Sequence, residues 1–171
     1  LIYNQKITLS EKGRGFVLSF LALCVLVFAA AISSSGSAAD GANQTPQQSH
    51  TPKQVVHAII AALQDNDTPH DGHGIEVTFA FASPGNKAAT GPLSRFAQMV
   101  QGPVFGVMIG HRSASFENYQ VDGDRAVIDV ILFTAAGTFV GYRFHLSKQT
   151  SGDCVGCWMT DAVLPFEVTS T

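Results

Sequence analysis

Apolar positions follow two periods along the chain. Between Val55 and Val100 they recur at three- and four-residue spacing, and from His111 onward they alternate, the two signatures of helix and strand. Val55, Val56, Ile59, Ile60 and Leu63 form one stripe. Ahead of it, Thr51-Pro52-Lys53-Gln54 supplies an N-cap hydroxyl, a proline for the first turn and a glutamine three residues on. The pattern predicts an amphipathic helix from Thr51 to near Asn66, stopped by Pro69. Ile75–Ser83 fits both templates: Ile75, Val77, Phe79 and Phe81 alternate, while Ile75, Phe79 and Ala82 share a helical face. It is read as a short helix, broken by Pro84-Gly85. Ala88-Ala89-Thr90 adds a turn, and Gly91-Pro92 opens a helix carrying Leu93, Phe96, Ala97 and Val100, closed by Gly102-Pro103.

Four strand-like runs follow, His111–Val121, Arg125–Thr134, Thr138–Lys148 and Cys157–Phe166. Asp122-Gly123, Ala135-Ala136-Gly137 and Ser151-Gly152-Asp153 separate them. Connections this short predict an antiparallel meander with the helices covering one face. The fold class is therefore α+β, N-terminal helices packed on a curved four-stranded sheet. Alternation assigns Val140, Tyr142, Phe144 and Leu146 to the core and Phe139, Arg143 and His145 to the other face. In the second run both faces are apolar apart from Asp129, which predicts a second packing surface, either in a curled sheet or in a homodimer formed through the sheet. In the last run, alternation groups Cys157, Met159, Asp161 and Val163 on one face and puts Trp158 on the other.

Residues 1–39 change the average composition. They have a basic front (Lys6, Lys12, Arg14), an apolar run Phe16–Ile32 and a small-residue exit at Ser33–Ala39, the order of a secretory signal cleaved after Ala39. The run is also at the short edge of a membrane span, so a single-pass signal anchor is the alternative. The first residue is Leu1, and a transit segment upstream of it would direct the chain to a plastid lumen instead. Residues 40–50 read as a flexible linker, 51–166 as one domain and 167–171 as a tail. Export makes Asn43 an expected glycosylation acceptor, while Asn66 lies close to Pro69 and is the poorer sequon.

Without the leader, seven Lys and Arg stand against twelve Asp and Glu. The bases are scattered singly, so nucleic acid is excluded as a partner and a membrane is engaged only through the N-terminal apolar segment.

The segments Thr51-Pro52…Val55-Val56, Phe81-Ala82-Ser83-Pro84-Gly85-Asn86, Thr90-Gly91-Pro92-Leu93…Arg95-Phe96, His111-Arg112-Ser113 and Cys157-Trp158-Met159-Thr160-Asp161 resemble the family of domain of unknown function 4864. The resemblance covers about residues 51–164. Helices followed by a bent meander also resemble the nuclear-transport-factor-2-like superfamily, which implies a cone-shaped fold. The family brings no reaction or ligand to transfer. Ala162 stands where its pattern usually has Gly.

The candidate chemistry is sparse. Cys154-Val155-Gly156-Cys157 can close a disulfide in an oxidising compartment if Gly152 and Gly156 supply a turn. His70-Asp71-Gly72-His73, with His57 upstream, matches no strong metal signature and reads as a solvated loop, so neither metal nor cofactor is expected. Superfamily isomerases use a cavity carboxylate with a hydroxyl donor, and on that analogy Asp161 is the candidate base with Tyr142 or His111 as donor. Arg112 is a candidate clamp for a ligand carboxylate, or a partner for Asp161 or Asp129. Trp158 is expected in the core or a dimer interface, with a cavity wall as its functional alternative, and Tyr142 joins Arg112 and Trp158 as a ligand-binding candidate. The leading reading is a non-catalytic binding or accessory domain with a small apolar pocket, exported or membrane-tethered, for a small hydrophobic ligand. The alternatives are a metal-free isomerase, dehydratase or cyclase using Asp161, and an interaction module built on the second sheet face.

Overall fold

Thr51 caps the first helix in a reciprocal pair: its hydroxyl accepts from the Gln54 amide at 3.3 Å, and Gln54 Oε1 accepts from the Thr51 amide at 2.8 Å. These bonds satisfy backbone groups that have no partner within the helix. The computed structural model describes residues 45–168, all within one compact unit, Ser35–Thr171. The leader, its cleavage site and Asn43 lie outside the described residues. Among the described residues no helix is long and apolar enough to cross a membrane.

Helix α1 spans Pro52–Gln64, α2 His73–Ala80, α3 Pro84–Thr90 and α4 Leu93–Val100, with a 3-10 turn at Gly106–Met108. The α1 stripe is fully used: Val55, Val56, Ile59, Ile60 and Leu63 are all buried. Helix α2 crosses α1 at Gly74, where a Cβ would stand 2.1 Å from the Ala62 carbonyl oxygen. Only glycine allows that approach. Ser83 caps α3 by accepting from the Asn86 amide at 3.2 Å.

The strands are β1 Ser113–Asp122, β2 Arg125–Phe133, β3 Phe139–Lys148 and β4 Trp158–Phe166, antiparallel in the order β1-β2-β3-β4. The first hairpin forms where Asp122-Gly123 predicted it, but its two-residue loop is Gly123-Asp124, since Asp122 pairs with Arg125. Gly123, at φ +55°, takes the left-handed first loop position.

Ala126, Ile128, Val130 and Leu132 of β2 and Tyr142, Phe144 and Leu146 of β3 face the helices and form the core with α1. No described helix covers the opposite face, which carries Ile131, Phe133, Phe139 and the pair Asp129–Arg143.

Two bulges bend the meander. One extra residue in β1, between Glu117 and Gln120, puts Asn118 at φ +46°. In β4, His145 pairs with Ala162 while Leu146 pairs with Thr160, so Asp161 is the extra residue. That insertion corrects the predicted face assignment in β4. Val163 pairs with Phe144, Thr160 with Leu146 and Trp158 with Lys148, so all three lie on the core side, whereas Met159 is opposite Ser147 on the other. Trp158 is a core residue.

Residues 45–50, expected within a flexible linker, pack on the β3–β4 connection instead. Gln48 Nε2 donates to the Val155 carbonyl at 2.7 Å, and His50 is buried beside Phe81. In the same connection Cys154 and Cys157 are joined by a disulfide, their Cα atoms 5.5 Å apart. Gly152 and Gly156, both at positive φ, turn the backbone there.

Candidate functional site

Thr160 is where the helical layer joins the edge of the sheet. Its amide donates to the Phe81 carbonyl at 2.8 Å, and its carbonyl accepts from the Ser83 amide at 2.9 Å and from Asn86 Nδ2 at 3.1 Å. Ala82 and Thr160 thus form a short parallel bridge. The backbone of Thr160 is satisfied, but its hydroxyl is not. Thr160 is 4% exposed, and its Oγ1 has no hydrogen-bond partner among the described residues.

That residue lines a cavity of about 290 Å³ between the helices and the sheet. Ile59 and Leu63 of α1, Phe96, Met99 and Val100 of α4 and Phe144 of β3 make most of its wall apolar, while Asn86, Thr90 and Thr160 add polar atoms. Ala89, Met99 and Asp161 border it and are exposed, marking where it reaches solvent. Its volume is at the lower end of the range for small-molecule sites, roughly 300 to 1,000 Å³. The β4 bulge shapes one rim, turning Asp161 outward and Val163 inward.

The predicted catalytic set does not converge. Asp161 is exposed, and its carboxylate accepts from the Ser147 hydroxyl at 2.9 Å. Tyr142 is buried away from the cavity lining, its hydroxyl donating to the Val104 carbonyl. Burial pushes the Tyr142 phenol above its ordinary pKa. His111 is buried ahead of β1, Nδ1 2.8 Å from the Met108 carbonyl oxygen. No two of the three share a cavity, so the acid-base pair of the isomerase alternative is missing.

Arg112 does not meet Asp161 or Asp129. Its guanidinium donates to the Ala135 carbonyl at 2.8 Å and lies over the Phe133 ring. Asp129 is bonded by Arg143 and by Asn118 Nδ2. The bidentate bond from Arg143 holds the Asp129 carboxyl below the usual carboxylate range, against the opposing effect of burial, and Asn118 adds to the lowering. None of the predicted ligand residues Arg112, Trp158 and Tyr142 lines the cavity. Apart from Asp161, the residues that do were missed because seven separate elements contribute them.

Asn66, the weaker sequon, is buried, accepting from the Ile75 amide at 3.2 Å and donating to Asp67. Its amide is committed to the α1–α2 connection.

Residues 45–167 match the family described as Domain of unknown function (DUF4864). The chain belongs to that family. The match begins at the segment that docks on the β3–β4 connection, so in this DUF4864 chain the folded domain starts ahead of the Thr51 cap. No curated protein and no solved structure gives a significant match.

Proposed function

We propose that this DUF4864 chain is a non-catalytic binding or accessory domain that holds a small apolar ligand with one hydrogen-bonding end in the cavity beside Thr160. The observation that carries the reading is the Thr160 hydroxyl, a donor and acceptor buried without a partner on a residue that lines the cavity. An unsatisfied buried hydroxyl costs about 1–3 kcal/mol, which a ligand group bonding to it would recover. The apolar wall contributes roughly 25 cal/mol per Å² of ligand surface it covers. A short-chain alcohol or a compact ring with one oxygen fits both requirements.

The helices-then-meander order, with bulges bending β1 and β4, supports a nuclear-transport-factor-2-like cone as the finer description of the fold. The basic, apolar and small-residue order of residues 1–39 supports export or tethering, with a secreted or lumenal domain. Self-association through the uncovered sheet face belongs to the same reading. Its support is Phe139 at 65% and Leu164 at 52% exposure on that side.

Native mass spectrometry of the full chain with a series of primary alcohols tests the ligand reading. One alcohol per chain should be retained, and Ala89→Phe, which adds bulk at the cavity mouth, should abolish retention. Failure of the unsubstituted chain to retain any member of the series, or equal retention by the variant, overturns it.

A further inference from the structure

The α1–α2 connection and the first turn of α2 present a second group of side chains that the cavity does not use. His70, His73 and Glu76 place one ligand atom each within 4.8 Å of one another. His57 is not among them, being stacked on Phe116 at 3.6 Å between ring centroids, and Asp71 is replaced by Glu76. His73 and Glu76 are three residues apart in the first turn of α2 and so share a face.

We propose that His70, His73 and Glu76 bind a divalent transition-metal ion of the zinc class. Two imidazoles and a carboxylate are the ligand set such ions favour, and three protein ligands leave a coordination position open. His70 Nδ1 lies 3.3 Å from the Asp71 carbonyl oxygen. Donation from Nδ1 to that carbonyl leaves the Nε2 lone pair directed at the cluster, the tautomer a metal ligand requires. Nε2 is 3.5 Å from Glu76 Oε2. In the neutral tautomer both atoms are acceptors, and a cation between them turns a repulsive contact into a favourable one.

The loop carrying His70 is built before any ion arrives. Asp67 accepts from the Gly72 amide at 2.9 Å, the Gly74 amide donates to the Asn66 carbonyl at 2.9 Å, and the His73 amide donates to the His70 carbonyl at 3.1 Å. Ligand atoms around a tetrahedral zinc with bonds of about 2.1 Å stand roughly 3.4 Å apart. Side-chain rotation of His70 and Glu76, both about half exposed, closes the remaining gap. Glu76 also lines a shallow groove of mixed polarity with Asp67, Asp71, Leu93, Ser94 and Gln101.

Zinc titration of the full chain, carrying no histidine tag, tests the site by competition with a chromogenic chelator and by NMR of the histidine rings. One zinc per chain should bind, broadening or shifting His70 and His73 while His57 stays unchanged, and excess magnesium should not compete. His70→Ala, His73→Ala and Glu76→Gln should each weaken binding at least about tenfold, while His57→Ala binds as the unsubstituted chain does. These positions are on or near the surface, and circular dichroism of each variant confirms its fold. Absence of stoichiometric zinc binding, or retained affinity in folded His70→Ala and Glu76→Gln, overturns the assignment.

Discussion

Arg143 on β3 faces Asp129 on β2 in direct register, with Nε 2.6 Å from Oδ1 and Nη2 2.7 Å from Oδ2. The carboxylate is buried and the guanidinium half-exposed, so the pair is neither a surface ion pair nor a fully buried one. The β1 bulge delivers Asn118 to the same carboxylate, which completes its hydrogen bonding without a second charge.

The Asp129 carboxyl titrates below its unfolded value near 3.9, so its contribution is full above about pH 4 and fades as the pH falls toward the folded value. Asp129→Asn should destabilise the domain by about 1–2 kcal/mol at pH 7, discounted for the exposure of Arg143. The difference between variant and parent should shrink below pH 4. Urea unfolding at a series of pH values checks both the size and the sign.

Gly74→Ala should lower stability by about 3 kcal/mol, because the added methyl meets backbone rather than a movable side chain. Helices α1 and α2 would have to separate. Gly141→Ala is the informative contrast: the atoms nearest its new Cβ all belong to the Phe166 ring, and a ring can rotate away. Thermal unfolding should therefore rank Gly74→Ala well below Gly141→Ala.

Loss of the first helix cap is smaller and local. Thr51→Ala removes the acceptor for the Gln54 amide and should cost about 1 kcal/mol. Hydrogen exchange should quicken in the first turn of α1 and leave β2 unchanged.

Thr160→Val separates stability from binding. Removing an unpartnered buried hydroxyl should stabilise the ligand-free domain by about 1 kcal/mol, while retention of a primary alcohol falls. A parallel loss of both in chemical unfolding and native mass spectrometry would show instead that the hydroxyl serves the fold.

The elements were legible because local and global preferences agree: the Thr51–Gln54 cap, the α1 stripe and the strand alternation each specify one structure. Strand ends and the Gly123-Asp124 loop moved by a residue or two, α2 lies two to three residues ahead of the expected Ile75–Ser83, and Pro84-Gly85, read as a break, opens α3. The face assignment in β4 failed for a specific reason. A period of two predicts faces only while pairing is continuous, and one extra residue at Asp161 inverts everything beyond it. The Arg143–Asp129 pair was within reach, since Arg143 was assigned to the outer face and Asp129 was the one charged residue inside the second run, so only register was missing. The cavity was not, because Leu63, Phe96, Phe144 and Thr160 meet only after the helical layer folds onto the sheet. Glu76 was passed over near His70 and His73 because its place in the first turn of α2 depends on where that helix begins.

The bridge between Ala82 and Thr160 has a consequence for how this sheet can grow. β4 is one edge, and its backbone at Thr160 is already engaged by Phe81 and Ser83, while Pro165 offers no amide farther along. The other edge, β1, is interrupted by Glu117, Asp122 and the kink at Asn118 rather than flat. With β4 engaged at Thr160 and β1 kinked, neither edge offers a long flat row of free backbone groups, which works against head-to-tail ribbons.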